Sequence, residues 1–253
     1  NPRVYKLLGT SYVLFNHEEE ALLELNRAHE LDRDDPETLF NLGGVYLLRD
    51  MYESAADAFE KVIKIDPTDT TGYANLAAAY GMLKTYDKEI MALKKVLMFD
   101  PENKELRAAL SNAYFNSDRF EEAIDAALCV VEIDEKDTQA YCNLGSCYAA
   151  QSMVDDAIKA FNKASELAPD YSLPHTNLGT LYANMGRIEA AIKELKIAVS
   201  LNPQDAGAWL NLYSCYKEVG LMEESQNAFS RYEAILNEPE SQDSPVGDNP
   251  ANI

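Results

Sequence analysis

Three histidines, four cysteines and 43 carboxylates are the side chains with which this 253-residue chain could do covalent or metal chemistry. Their spacing supports none. His17, His29 and His175 stand far apart, and His175 falls in a column that aromatic rings mostly occupy elsewhere in the chain, so a packed ring is its expected role. Cys142 and Cys147 are five residues apart, which is neither a Cys-x-x-Cys motif nor the i, i+4 spacing that aligns two ligands on a helix. Cys147 and Cys215 share one small-residue column and read as core fillers. The pairs Glu121 and Glu122, and Asp155 and Asp156, belong at helix starts, where they favour the positive end of the helix dipole. Adjacent carboxylates in a solvated first turn are not an acid and base pair. With no phosphate-cradling glycine loop and no nucleophile elbow, the expectation is a non-enzyme without metal or cofactor.

One polar residue type recurs with a chemistry of its own. Asparagines 41, 75, 143, 177 and 211 are each followed at once by leucine and five residues later by tyrosine. Asparagine is a poor helix former, so its amide is wanted where it stands: it offers a donor and an acceptor that can pair with the N–H and C=O of an extended backbone.

What positions these amides is a repeat of 34 residues, with units starting at residues 2, 36, 70, 104, 138, 172 and 206. The seventh position is always leucine (Leu8, Leu42, Leu76, Leu110, Leu144, Leu178, Leu212) and the eleventh always tyrosine (Tyr12, Tyr46, Tyr80, Tyr114, Tyr148, Tyr182, Tyr216). Position 4 is mostly aromatic or large, and position 8 is small in six units. All four positions share one helical face. A second helix follows a short turn, with a small residue at position 20 and an apolar one at 24. Pro67, Pro101, Pro169 and Pro203, at position 32, then stop it. Each unit is a helical hairpin that cannot bury its apolar face alone, and stacking completes the core.

These columns resemble the tetratricopeptide repeat family over about 238 of the 253 residues. The resemblance implies an all-α fold, an α-solenoid that is a right-handed superhelix of tandem helix-turn-helix hairpins, whose first helices line a concave groove for a peptide of a partner. The expected organisation is one seven-repeat domain over residues 1–239 and a disordered acidic tail over 240–253. Departures fall at Arg107 and Glu135 in the fourth unit and at Arg33 and Asn237 in place of proline. The start at a unit boundary leaves room for repeats upstream. No visible extra helix closes the array, so the outer face of the last one is expected to be its polar cap.

Positions 2, 5, 6, 9, 12 and 13 of each first helix are expected to line the groove. Of these 42 residues only Arg3, Lys6, Glu37, Glu105, Lys217 and Glu218 are charged, and they cancel. The net charge of −21 therefore coats the remaining surface, and it argues against nucleic acid or anionic membrane as partner. Asn41, Asn75, Asn143, Asn177 and Asn211 occupy position 6, either as a backbone-reading ladder that resembles the asparagine ladder in the repeats of O-linked N-acetylglucosamine transferase or as a residue type common at this position of the family with or without a ligand. Five contacts at roughly 0.5 to 1.5 kcal/mol each, against the cost of immobilising a peptide, leave affinity near the micromolar range or weaker. Apolar anchors must supply the rest: Phe40, Leu47, Leu48, Met82 and Phe115, with Val13 and Leu14, either wall the groove of the first four units or pack between neighbouring first helices. The fifth and sixth units offer a small polar zone with Cys142, Ser146, Thr176 and Thr180. Position 2 carries one basic residue, Arg3, and position 6 none, so the lysine and arginine pattern of a carboxylate clamp for chaperone C-termini is not met.

The expected function is a protein-interaction scaffold of a reducing, cytoplasmic compartment. The alternative is a structural module that self-associates through the ends of its repeats, or the non-catalytic arm of a longer protein or enzyme.

Overall fold

A computed structural model describes residues 1–237. The tail expected over 240–253 lies outside the described residues. The described chain is all-helical and divides into two compact units, the first ending at Arg119 and the second beginning at Phe120. The first unit holds α1 (Pro2–Leu14), α2 (Glu18–Leu31), α3 (Pro36–Leu48), α4 (Tyr52–Ile65), α5 (Thr70–Met82), α6 (Tyr86–Leu97) and α7 (Lys104–Asn116). The second holds α8 (Phe120–Ile133), α9 (Thr138–Ala150), α10 (Val154–Leu167), α11 (Leu173–Asn184), α12 (Ile188–Leu201), α13 (Ala206–Glu218) and α14 (Met222–Asn237). Odd-numbered helices are the first helices of the 34-residue register and even-numbered ones the second.

Local chemistry sets each boundary. The residue before a first helix is its N-cap: Asn1, Asp35, Asp69, Asn103, Asp137 and Asp205 each accept a backbone N–H of the first turn, a contact worth about 1 kcal/mol. Ser172 before α11 makes no such bond. Second helices end ahead of the position-32 prolines, and Asp66, Ala168 and Asn202 take the extended backbone that a following proline demands. Asp32 is extended too, at φ −145°, although Arg33 replaces the proline. That departure leaves the stop of α2 unchanged.

The turn inside each hairpin rests on one residue. Position 15 is left-handed in all seven units, at Asn16, Asp50, Lys84, Asp118, Ser152, Gly186 and Gly220. The next N–H then reaches back to the carbonyl of the tyrosine column, as in His17 to Tyr12 at 2.9 Å and Arg187 to Tyr182 at 2.9 Å, which closes a Schellman turn.

Packing alternates within and between hairpins. Inside a hairpin, glycine at position 8 receives the position-24 side chain. A Cβ on Gly43 would stand 2.6 Å from the Phe59 ring, and one on Gly145 2.6 Å from Phe161. Between hairpins, Ala55, Ala56 and Phe59 of α4 close over Leu76, Ala79 and Tyr80 of α5. In the second unit Ala157 and Phe161 of α10 meet Leu178 and Leu181 of α11. Each such side chain gains about 1.5 to 3 kcal/mol from burial, so the hairpins of each unit stack as an α-solenoid because the core lies between them. Arg107 and Trp209, which stand in the tyrosine-rich fourth column, both donate to the carbonyl of a position-32 proline six residues back, Pro101 at 2.6 Å and Pro203 at 2.9 Å. Among the described residues no helix is long and apolar enough to cross a membrane. Glu223, Glu224, Gln226, Asn227, Ser230, Arg231 and Glu233 are all exposed on α14.

Candidate functional site

The first helices of each unit carry the expected binding positions on the side away from their second helices, and the structure sorts those positions into three kinds. Positions 2 and 13 are open: Leu48 is 50% exposed and Met82 57%. Position 6, the asparagine column, is half-buried and forms a floor. Positions 5 and 12 are mostly built into the stack. Phe40 meets Phe59 edge-on with ring centroids 5.6 Å apart, and both Phe40 and Leu47 pack against the cluster between α4 and α5. Val13 packs likewise against the cluster between α2 and α3. Phe115 is half-buried. Of the apolar residues expected to wall the groove, Leu14, Leu48 and Met82 stand open on this face, while Val13, Phe40 and Leu47 follow the packing alternative.

Cys142 corrects the expected polar zone. It is 1% exposed, and burial pushes its thiol up to about 12, so it belongs to the core rather than to the lining. Cys147 and Cys215 are buried as well. Ser146 and Thr180 remain half-open, each donating to a carbonyl of its own helix, Cys142 at 3.0 Å and Thr176 at 2.9 Å. His175 is packed as expected, with Nδ1 2.8 Å from the Glu194 carboxylate.

Two of the five asparagines are tied to the preceding repeat. Asn41 Nδ2 donates to Thr10 Oγ1 at 2.9 Å, and Asn211 Nδ2 to Thr180 Oγ1 at 2.9 Å. Both ties rest on position 9, where the neighbouring first helix carries a threonine hydroxyl. For Asn75 that position is Gly44, which has no side chain, and for Asn177 it is Ser146, whose hydroxyl donates to its own helix as those of Thr10 and Thr180 do but accepts nothing from Asn177. Among the described residues the amides of Asn75 and Asn177 make no hydrogen bond within the fold and are open to water. Asn143 accepts from Gln139 Nε2 at 2.9 Å on its own helix and keeps its N–H groups.

A second tie joins position 5 to the N-cap of the following first helix. Lys6 Nζ lies 3.1 Å from Asp35 Oδ2 and 2.5 Å from Glu37 Oε2, and Thr176 Oγ1 donates to Asp205 Oδ2 at 2.8 Å. Burial pushes the Asp35 carboxyl up, but hydrogen bonds from Thr38 and Lys6 outweigh it and hold it below the ordinary range. The hydrogen bond to Glu37 in turn raises Lys6. Two of the six charges expected in the groove thus neutralise each other.

One group on this side comes from a second helix. Position 20 is alanine or serine except in the third repeat, where it is Glu89, and position 12 of that repeat is Gly81. The Glu89 carboxyl occupies the space over Gly81, with Oε1 3.0 Å from where a Cβ would stand. The exchange of a small residue for a large one between these two columns was the readable signal. A frame confined to first helices passes over it.

Comparison with known proteins agrees with this architecture. Residues 36–69 and 138–171 match a tetratricopeptide repeat model, and residues 160–193 match a second one of the same description. No curated protein matches the chain. Among solved structures, a tetratricopeptide repeat protein from Parabacteroides merdae is similar over 92% of this chain and 93% of its own, at 16% identity and a TM-score of 0.76. The MamA protein is similar over 66% of this chain and 91% of its own, at 23% identity and a TM-score of 0.62. YrrB, described as a TPR protein with an unusual peptide-binding site, is similar over 73% of this chain and 95% of its own, at 24% identity and a TM-score of 0.58. At these identities the likeness speaks for the fold. Tetratricopeptide repeats are thus matched over residues 36–69 and 138–193, and the fourteen helices of the described residues carry the same 34-residue register through the rest.

Proposed function

We propose that the chain is a protein-interaction scaffold whose first helices hold an extended peptide segment of a partner. The observation that carries this reading is the contrast within the asparagine column. Asn41 and Asn211 have a use in stacking, whereas Asn75 and Asn177 are half-buried amides without a partner in the fold. An amide that helix formation disfavours and packing does not employ is best explained by a ligand backbone. Open apolar side chains such as Leu48 and Met82 lie on the same side and would receive the segment's own apolar residues. The peptide-binding site described for YrrB is in keeping with such a use of this fold. The test selects 12-residue peptides from a displayed random library against the wild-type chain, then measures them by calorimetry. The variants N75A and N177A should each bind about three-fold more weakly with unchanged helicity, each lost hydrogen bond contributing about 0.7 kcal/mol. Equal affinity sinks the reading.

A second reading is favoured by the first helix. Leu8 is 41% exposed, whereas the other six leucines of its column are buried, and Val4 and Leu7 beside it are open as well. An exposed apolar face of this kind suits self-association. Sedimentation over a concentration series should then show a dimer that L7K abolishes, and a monomer at all concentrations removes this reading.

A further inference from the structure

In a tetratricopeptide hairpin the two helices lie close at position 20, and the other repeats keep that site small with Ala21, Ala55, Ala123, Ala157, Ala191 and Ser225. Glu89 breaks the pattern, and the break is accommodated. Its Oε1, Cδ and Oε2 stand 3.0, 3.2 and 3.3 Å from the position a Gly81 Cβ would take. The carboxyl group therefore fills the volume that Leu47 fills in the preceding repeat, where leucine packs against the cluster containing Ala55. Gly81 is itself only half-buried, so the carboxyl group comes out on the first-helix side of the hairpin.

No hydrogen bond or ion pair holds the Glu89 carboxylate among the described residues, and burial pushes its carboxyl up to about 7. The helices packed on α6 are α5 and α7. Charged residues are absent from α5, whose titratable groups are Tyr73 and Tyr80; α7 brings Lys104, Glu105 and Arg107 at its start and Tyr114 later. On α6 itself Asp87 is exposed, Lys88 is turned to the Tyr80 ring and Glu60, and Lys94 to the Tyr114 ring. None of these cations is set against Glu89, because burial is the one cause of its shift.

Beside it, α5 presents Ala74, Ala78 and Gly81 at successive turns, with Met82 open next to them. This low strip has room for a long side chain whose methylenes lie against Met82 while its charged end reaches the carboxylate. Charge complementarity selects a cation, since a half-buried carboxylate without a partner gains more from one than a fully hydrated carboxylate does.

Resting on the peptide-binding reading above, we propose that the third repeat is a subsite for a basic residue, the lysine or arginine of a bound segment lying along Ala74, Ala78 and Gly81 with its cation on Glu89. Because the cation binds the ionised form, binding and proton release are linked, and binding strengthens as pH rises through neutrality.

The test uses three Gly-Ala dodecapeptides that differ only in a central arginine, norleucine or glutamate. Each is titrated into the isotope-labelled full chain at pH 6 and pH 8, following the side-chain amides of Asn75, Asn143 and Asn177, the Gly81 amide and the Glu89 carboxyl resonance by NMR. The arginine peptide should bind about ten-fold tighter than the norleucine peptide at pH 8, the preference shrinking toward parity at pH 6 as the carboxyl group takes up its proton. E89Q should remove both the preference and its pH dependence while the Asn75 response remains. The double variant G81L/E89A, which reproduces the Leu47 and Ala55 pair, should do the same and guards against a local packing effect. Parity of arginine and norleucine at pH 8 while Asn75 responds to both overturns the subsite alone, as does a preference that survives E89Q. If no peptide moves Asn75, Asn143 or Asn177, the peptide-binding reading falls and the subsite with it.

Discussion

The second and third repeats put opposite sizes at the same two positions. In α3 and α4 the pair is Leu47 and Ala55, and in α5 and α6 it is Gly81 and Glu89. Either way the space between the helices is filled, once from the first helix and once from the second. The asparagine column differs in parallel: Asn41 is tied to Thr10, while Asn75 faces Gly44 and is left untied. Stacking constrains volume more tightly than it constrains chemistry. The third repeat meets the volume requirement with polar atoms and so retains groups that the second repeat has committed to its own fold.

That contrast can be strained from several directions. The largest effect is expected at the column the two repeats treat alike in role but not in residue. Gly43→Ala would bring a methyl to 2.6 Å from the Phe59 ring, and it should destabilise the chain by about 2 to 3 kcal/mol in urea denaturation. The third repeat already carries Ala77 there, opposite Leu93, so Ala77→Gly should cost only about 1 kcal/mol. Equal losses at the two sites would mean that the close approach at Gly43 is not what holds that column.

Glu89 comes next. Its carboxyl is held near 7 against an ordinary value of 4.5, so the folded state keeps the proton that the unfolded state releases first. Stability is therefore full below about pH 4.5, falls as pH rises toward 7, and levels off above it. Partial solvent access reduces the effect to about 1 to 2 kcal/mol. E89Q should match the wild type near pH 4.5 and exceed it by that margin at pH 8, measured as the difference between urea midpoints at the two values. A flat difference across the range would place the Glu89 carboxyl in water. The smallest effect separates the asparagines: Asn41→Ala and Asn75→Ala both gain about 0.5 kcal/mol of helix propensity, but Asn41→Ala also loses its bond to Thr10, so it should be about 1 kcal/mol less stable than Asn75→Ala.

Leucine at position 7 and tyrosine at position 11 were legible as a stacked core because every junction between hairpins needs the same volume in the same place. The binding face was legible only in part. At 100° per residue, positions 5 and 12 fall on the border between the packed side and the open side, and periodicity does not decide which way Phe40, Leu47 or Cys142 will turn. The left-handed residue of the hairpin turn was hidden for a different reason. Backbone geometry sets it, and Asn16, Lys84, Ser152 and Gly186 all satisfy it without forming a column by type. The ties from position 5 to the next N-cap were likewise invisible, since Lys6 and Thr176 reach equivalent aspartates with unrelated side chains.

Those aspartates have a consequence for how the array melts. Asp35 accepts the Thr38 N–H at the start of α3 and also receives Lys6 from α1, and Asp205 serves α13 and Thr176 of α11 in the same way. In a linear lattice of repeats, one term describes the folding of each unit and another its coupling to a neighbour. Here a single carboxylate enters both terms, so fraying the first turn of α3 also weakens its coupling to α1. Hydrogen exchange should find the Thr38 amide and the amides of α1 protected by the same opening event, with terminal hairpins leaving the lattice as whole units rather than unravelling residue by residue.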